Sequence, residues 1–134
     1  MFSHVTVGVA DLDRAARFYD AVLGPLGLVQ RVPPTGAAPD WRCWVGRSAT
    51  LPRFYAHLPF DGALATSGNG TMVAFLAPTP ASVSLAHSAG LAAGGSDEGA
   101  PGPRPHYGDG YFGAYLRDPD SNKVHVVHRG DLPA

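Results

Sequence analysis

The chain carries little charge and almost no cysteine. Of its 134 residues 16% are Asp, Glu, Lys or Arg, against roughly 25% in an ordinary soluble domain, while 45% are hydrophobic. That balance excludes a charge-solvated disordered chain. Neither sign dominates: ten basic and eleven acidic side chains leave a net charge of -1. With no surplus of cations to neutralise phosphates, nucleic acid is not an expected partner. The single cysteine, Cys43, cannot close an intrachain disulfide, so a reducing cytoplasm is the expected setting. Asp11, Asp13, Arg14 and Arg17 interrupt the stretch that a secretory leader would need to be apolar, and none is expected.

Long apolar runs are missing too. No Asp, Glu, Lys or Arg occurs between Asp61 and Asp97, but Gly68, Asn69, Gly70, Pro78 and Pro80 break that interval. Its longest strongly apolar piece, Met72 to Ala77, is far short of the roughly 20 residues a bilayer demands. No membrane partner is expected, and the length suits one domain over 1–134.

What is present is a repeated order of elements. In His4-Val5-Thr6-Val7-Gly8-Val9 the valines recur at period two, the pattern of a strand with Val5, Val7 and Val9 on a core. Asp11 stands where a helix N-cap belongs. Leu12, Ala15, Ala16, Tyr19 and Leu23 then follow at helical spacing until Gly24-Pro25. Apolar stretches near Leu28 to Val32, Trp41 to Val45 and Arg53 to Leu58 complete a βαβββ order.

The second half restarts at Met72 to Ala77, with Thr79 as cap, Pro80 at the first helical position and Gly94-Gly95 as stop. A shift of 68 residues lays His4 on Met72, Asp11 on Thr79, Gly27 on Gly95 and His57 on His125. Caps, stops and strands coincide under one offset, which predicts an internal duplication, with module one near 1–66 and module two near 67–134. Strands are expected near 3–9 and 71–77, helices near 11–23 and 80–93. Gly94 to Gly110 reads as an irregular loop carrying Arg104, His106 and Tyr107, long enough to act as a lid. Asp118-Pro119-Asp120-Ser121-Asn122 is a turn signal whose carboxylates bond the backbone rather than form a catalytic pair. His87 falls on the apolar face of the second helix and is expected in the core. Trp41, Trp44, Phe54 and Tyr55 are candidates to line an aromatic ligand cleft, with core favoured for Phe54 and cleft for Tyr55. Cys43 and the serines show no pattern of an activated nucleophile.

Taken together, the opening His4 to Asp11 with the Phe18-Tyr19 helix, the Gly68-Asn69-Gly70-Thr71 entry to module two and the Asp118 to Asn122 turn resemble the vicinal oxygen chelate superfamily. This is the group of glyoxalases, bleomycin-resistance proteins and extradiol dioxygenases. The resemblance implies an α+β fold of two βαβββ modules whose sheets curl into an open-barrel cleft. It also implies a homodimer, in keeping with the sheet edges such modules leave open. Many members hold a divalent metal in that cleft, with ligands from the first and last strands of each module. Carried over, those positions are His4, His57 or Tyr55, Met72 and His125; metal-binding relatives usually have His where Met72 stands and Glu where His125 stands.

Strand parity bears on the same residues. With the valines facing the helices, His4, Thr6, Met72, Leu76, Tyr55, His57, His125 and Val127 face the cleft. His4, His57 and His125 could then hold zinc or another transition metal. Glyoxalase-type proton transfer, which needs a metal-bound carboxylate, is not expected. The reading favoured is a small-molecule-binding protein whose pocket involves His4, Tyr55, His57, Met72 and His125, with Arg104, His106 and Tyr107 closing over it. The alternative is a metal-dependent lyase, isomerase or dioxygenase-like enzyme acting on vicinal oxygens.

Overall fold

A computed structural model describes residues 1–31 and 39–132. The chain runs β1 (His4–Gly8), α1 (Leu12–Leu23), a 3-10 turn (Gly24–Leu26), β2 (Leu28–Gln30), β3 (Trp41–Gly46), β4 (Arg53–His57), β5 (Met72–Leu76), α2 (Pro80–Ala92), β6 (Ser96–Pro103), β7 (Tyr111–Arg117) and β8 (Lys123–Arg129). The end of the predicted second strand at Val32 and the break at Pro33 to Gly36 lie outside the described residues. The strands form two four-stranded sheets, ordered β1-β4-β3-β2 and β5-β8-β7-β6, each with its first strand parallel to its last and the remaining pairs antiparallel. This is an α+β fold of two βαβββ units whose sheets do not close into a barrel.

Local chemistry accounts for both helices. Asp11 accepts from the Arg14 N–H at 2.9 Å, and Thr79 and Ser82 form a reciprocal capping box ahead of α2. α1 buries Ala15, Phe18, Tyr19, Val22 and Leu23; α2 buries Ser82, Val83, Ala86, His87 and Gly90. His87 is a core residue as its spacing implied, with Nε2 2.9 Å from Asp97. A Cβ on Gly90 would overlap Leu116 and lie 2.8 Å from Val22 Cγ2, so its lack of a side chain allows α2 to approach α1 and β7. One core cluster joins both units, with Phe54 and Phe75 in edge contact at 5.1 Å between ring centroids.

The Asp118 to Asn122 turn clasps the two units together. Tyr19 donates to Asp118 Oδ2 at 2.7 Å, Asn122 Nδ2 donates to the Gly8 carbonyl, and Asp120 accepts from the Ala10 N–H and from Arg14. Asp118 Oδ1 also accepts from the N–H groups of Asp120 and Asn122. Burial nevertheless pushes the Asp118 carboxyl above the ordinary carboxylate range, the hydrogen bonds offsetting part of that shift.

Three sequence expectations need correction. Gly94 to Gly110 is not a long irregular lid: Ser96–Pro103 is an edge strand, with register shifts between Asp97 and Gly102. An edge strand tolerates Pro101 and Pro103 because a missing N–H can face solvent. Val5 is 36% exposed rather than core, near the start of the edge strand β1. The third concerns the repeat. First strands and helices obey the 68-residue shift, but His4 pairs with Arg53 while Met72 pairs with Lys123, a shift of 70 on the last strands. Tyr55, not His57, is therefore the module-one counterpart of His125.

Candidate functional site

On the first sheet, register puts Thr6, Tyr55 and Cys43 across from one another, flanked on the same face by His4 with Arg53 and by Gly8, His57 and Trp41. The Tyr55 ring takes the edges of His4 and Trp41, with centroids 5.5 and 5.4 Å away. His4 Nδ1 lies 3.0 Å from Ser3 Oγ. His57 turns Nδ1 to the adjacent Leu58 carbonyl. It lines a separate cavity of about 340 Å³ with Thr6, Gly8 and the segment following β4.

On the second sheet the matching face carries Met72, Lys123 and Arg117; then Ala74, His125 and Tyr115; then Leu76, Val127 and Gly113. His125 is buried, its ring stacked on Tyr115 at 4.0 Å and 9°. A Cβ on Gly113 would lie 2.6 Å from His125 Cε1, so that glycine provides the floor beneath the imidazole. Nδ1 is 2.9 Å from the Ala114 carbonyl, which can only accept, so this nitrogen carries the proton. Nε2, 2.7 Å from the Tyr111 hydroxyl, is then an acceptor in the neutral ring and Tyr111 donates. Burial is the main cause that holds the His125 pKa below the ordinary histidine value, and the charges of Arg104 and Lys123 add to it.

Beside this cradle opens a groove of about 430 Å³ lined by Met72, Glu98, Arg104, His106, Tyr107, Tyr115 and Lys123. It adjoins a larger cavity of about 680 Å³ along Gly68 to Thr71 through the shared Met72 and Lys123. Burial raises the Tyr115 pKa, so the phenol stays neutral. The predicted ligand residues thus divide. Met72, Arg104, His106 and Tyr107 come together, His125 lies behind Tyr115, and His4 with Tyr55 occupies the other sheet. Sequence reading missed Tyr111, Tyr115 and Lys123, although period-two parity from His125 would have placed Lys123 on this face.

Comparison with known proteins settles the lineage. Residues 1–126 match the profile of the Glyoxalase/Bleomycin resistance protein/Dioxygenase superfamily. The chain belongs to that superfamily. Its structure is similar to the crystal structure of a glyoxalase/bleomycin resistance protein from Albidiferax ferrireducens T118, at 40% identity and TM-score 0.80 over 96% of this chain and 98% of that one. It shares its fold with a glyoxalase-related enzyme from Fulvimarina pelagi, at 21% identity and TM-score 0.73 over 99% and 91% of the two chains. A putative lactoylglutathione lyase of Brassica oleracea var. gemmifera is 29% identical over 132 residues, 98% of this chain. The chain spans 45% of that relative's length.

The metal site of this vicinal oxygen chelate superfamily can be tested against the residues present, and they do not fit it. Among the described residues no group of three or more His, Cys, Asp or Glu side chains could hold a metal ion. The expected triad of His4, His57 and His125 is not gathered. His125 has both ring nitrogens committed behind Tyr115, Tyr55 takes the position assigned to His57, and His4 packs on Tyr55. Met72 adds only a soft thioether.

Proposed function

We propose that this chain is a small-molecule-binding member of the superfamily whose pocket is the Met72, Tyr115 and Lys123 groove, with Arg104, His106 and Tyr107 on its wall, and which works without a resident metal. The observation that carries this reading is the state of His125. A residue at a metal-ligand position of the family is here neutral, buried and hydrogen-bonded at both nitrogens. Metal analysis of protein dialysed against zinc and nickel, with an assay of lactoylglutathione turnover, tests it. Substoichiometric metal and no turnover are expected. An ion bound one per chain and lost in His4→Ala and His125→Ala overturns it.

The relatives named lactoylglutathione lyase favour a second reading, a metal-dependent lyase or isomerase. It requires His125 Nε2 to leave Tyr111, while Nδ1 can keep the Ala114 carbonyl, so it predicts that metal loading disturbs the tyrosine environment. We also propose a homodimer. Phe2, Val5 and Leu76, on or beside the edge strands β1 and β5, are exposed, and a second copy would cover them. No helix among the described residues is long and apolar enough to cross a membrane. A reducing cytoplasmic setting suits the lone, buried Cys43.

A further inference from the structure

The groove has a distinctive charge balance. Glu98, its carboxylate, is 2.6 Å from Arg117 Nε and is compensated there. Arg104 bonds two neutral acceptors, the carbonyls of Ala100 at 2.9 Å and Pro103 at 3.3 Å. Each terminal nitrogen of that guanidinium keeps a second N–H for a ligand. Lys123 lies 5.2 Å from the Tyr115 ring centroid. Among the described residues neither Arg104 nor Lys123 has a carboxylate partner.

The Arg104 head group is also held in place. Gly99 and Gly102 lie beneath it, where added Cβ atoms would come within 3.6 Å of Nη2 and 3.1 Å of Nη1. The register shifts of β6 fall at these same glycines. A cation positioned before a ligand arrives loses little side-chain entropy on binding. Met72, Tyr107 and Tyr115 meanwhile provide polarisable and aromatic surface in the same groove.

We infer that the groove binds an organic anion, a carboxylate on a flat aromatic body, with Arg104 and Lys123 taking the carboxylate and Met72, Tyr107 and Tyr115 the ring. This rests on the proposed small-molecule pocket and assigns its ligand class. Two cations without a carboxylate partner favour an anion over a neutral compound, and the Met72, Tyr107 and Tyr115 lining of the same groove favours an aromatic acid over a bare inorganic ion. A volume of about 430 Å³ lies in the range of small-ligand pockets.

Calorimetric titration with 1-naphthoate, the isosteric neutral 1-naphthamide and inorganic phosphate tests the assignment. Naphthoate should bind at least about tenfold tighter than naphthamide. Arg104→Gln and Lys123→Gln should each weaken naphthoate by about tenfold and change naphthamide by less than about twofold. Gly102→Ala, which crowds the guanidinium without removing charge, should also weaken naphthoate; circular dichroism confirms that each variant is folded.

Equal affinity for acid and amide overturns the anion assignment while leaving a small-molecule pocket. A preference for naphthoate that survives both glutamine variants overturns the site. Phosphate binding as tightly as naphthoate removes the aromatic body from the recognition. Binding of none of the three overturns the ligand class, whereas the metal-free reading stands or falls separately on metal content and turnover.

Discussion

Tyr111 donates its hydroxyl proton to His125 Nε2 across 2.7 Å, from the strand that also presents Gly113 and Tyr115 to the same imidazole. The Ala114 carbonyl and Tyr111 thereby set the tautomer of one side chain of β8, while Gly113 and Tyr115 confine its ring. At a position where metal-binding relatives usually have an anionic ligand, this chain has a neutral, hydrogen-bonded histidine.

That arrangement predicts a pH dependence of stability. The folded-state pKa of His125 is held below the ordinary histidine value by burial, so the unfolded chain takes up the proton first as pH falls. The stability contributed by the neutral ring is fully present above about pH 6.5 and is lost as pH drops toward the folded-state value. Denaturant titrations at pH 7.5 and 5.5 should show this loss, and His125→Gln should reduce the difference between the two pH values. An unchanged difference in the variant would remove His125 as its source.

Gly90 sets the distance between α2 and its neighbours. Gly90→Ala forces a methyl against Leu116 and Val22 and should cost about 1–3 kcal/mol, more than the gain in helix propensity returns. Urea unfolding measures it; a variant as stable as the parent would show that the two helices can separate freely.

Tyr19→Phe removes one donor from the buried Asp118 carboxylate and keeps the ring packed against Trp44 and Phe54. The expected loss is about 1–3 kcal/mol, the range for a hydrogen bond to a charged group. Because that bond joins α1 to the turn before β8, hydrogen exchange in both segments should accelerate together.

A homodimer should appear in light scattering at micromolar concentration as twice the protomer mass. Leu76→Asp, on the exposed face of the edge strand β5, should shift the equilibrium toward monomer without altering the far-ultraviolet spectrum. A protomer mass for the parent chain would remove the proposal.

Much of this protein was determined locally. Asp11 and Thr79 cap helices because a short oxygen-bearing side chain satisfies the first free N–H groups. Alternation at period two put His4, Tyr55, Met72 and His125 on the faces where register places them. Ser96 to Pro103 escaped because glycine and proline argue against a strand, and only pairing with β7 overrides that preference. Period two also cannot distinguish a residue from the one two places on. Tyr55 and His57 share a face, and only the pairing of β4 with β1 decides that Tyr55 stands opposite Thr6 while His125 stands opposite Ala74. Which atoms satisfy an imidazole is likewise a tertiary matter, since Tyr111 and Ala114 reach His125 from a neighbouring strand. Residue types and alternation thus determined which side chains could face the site, and strand pairing decided which of them met, because hydrogen-bond partners between strands are set by register and not by composition.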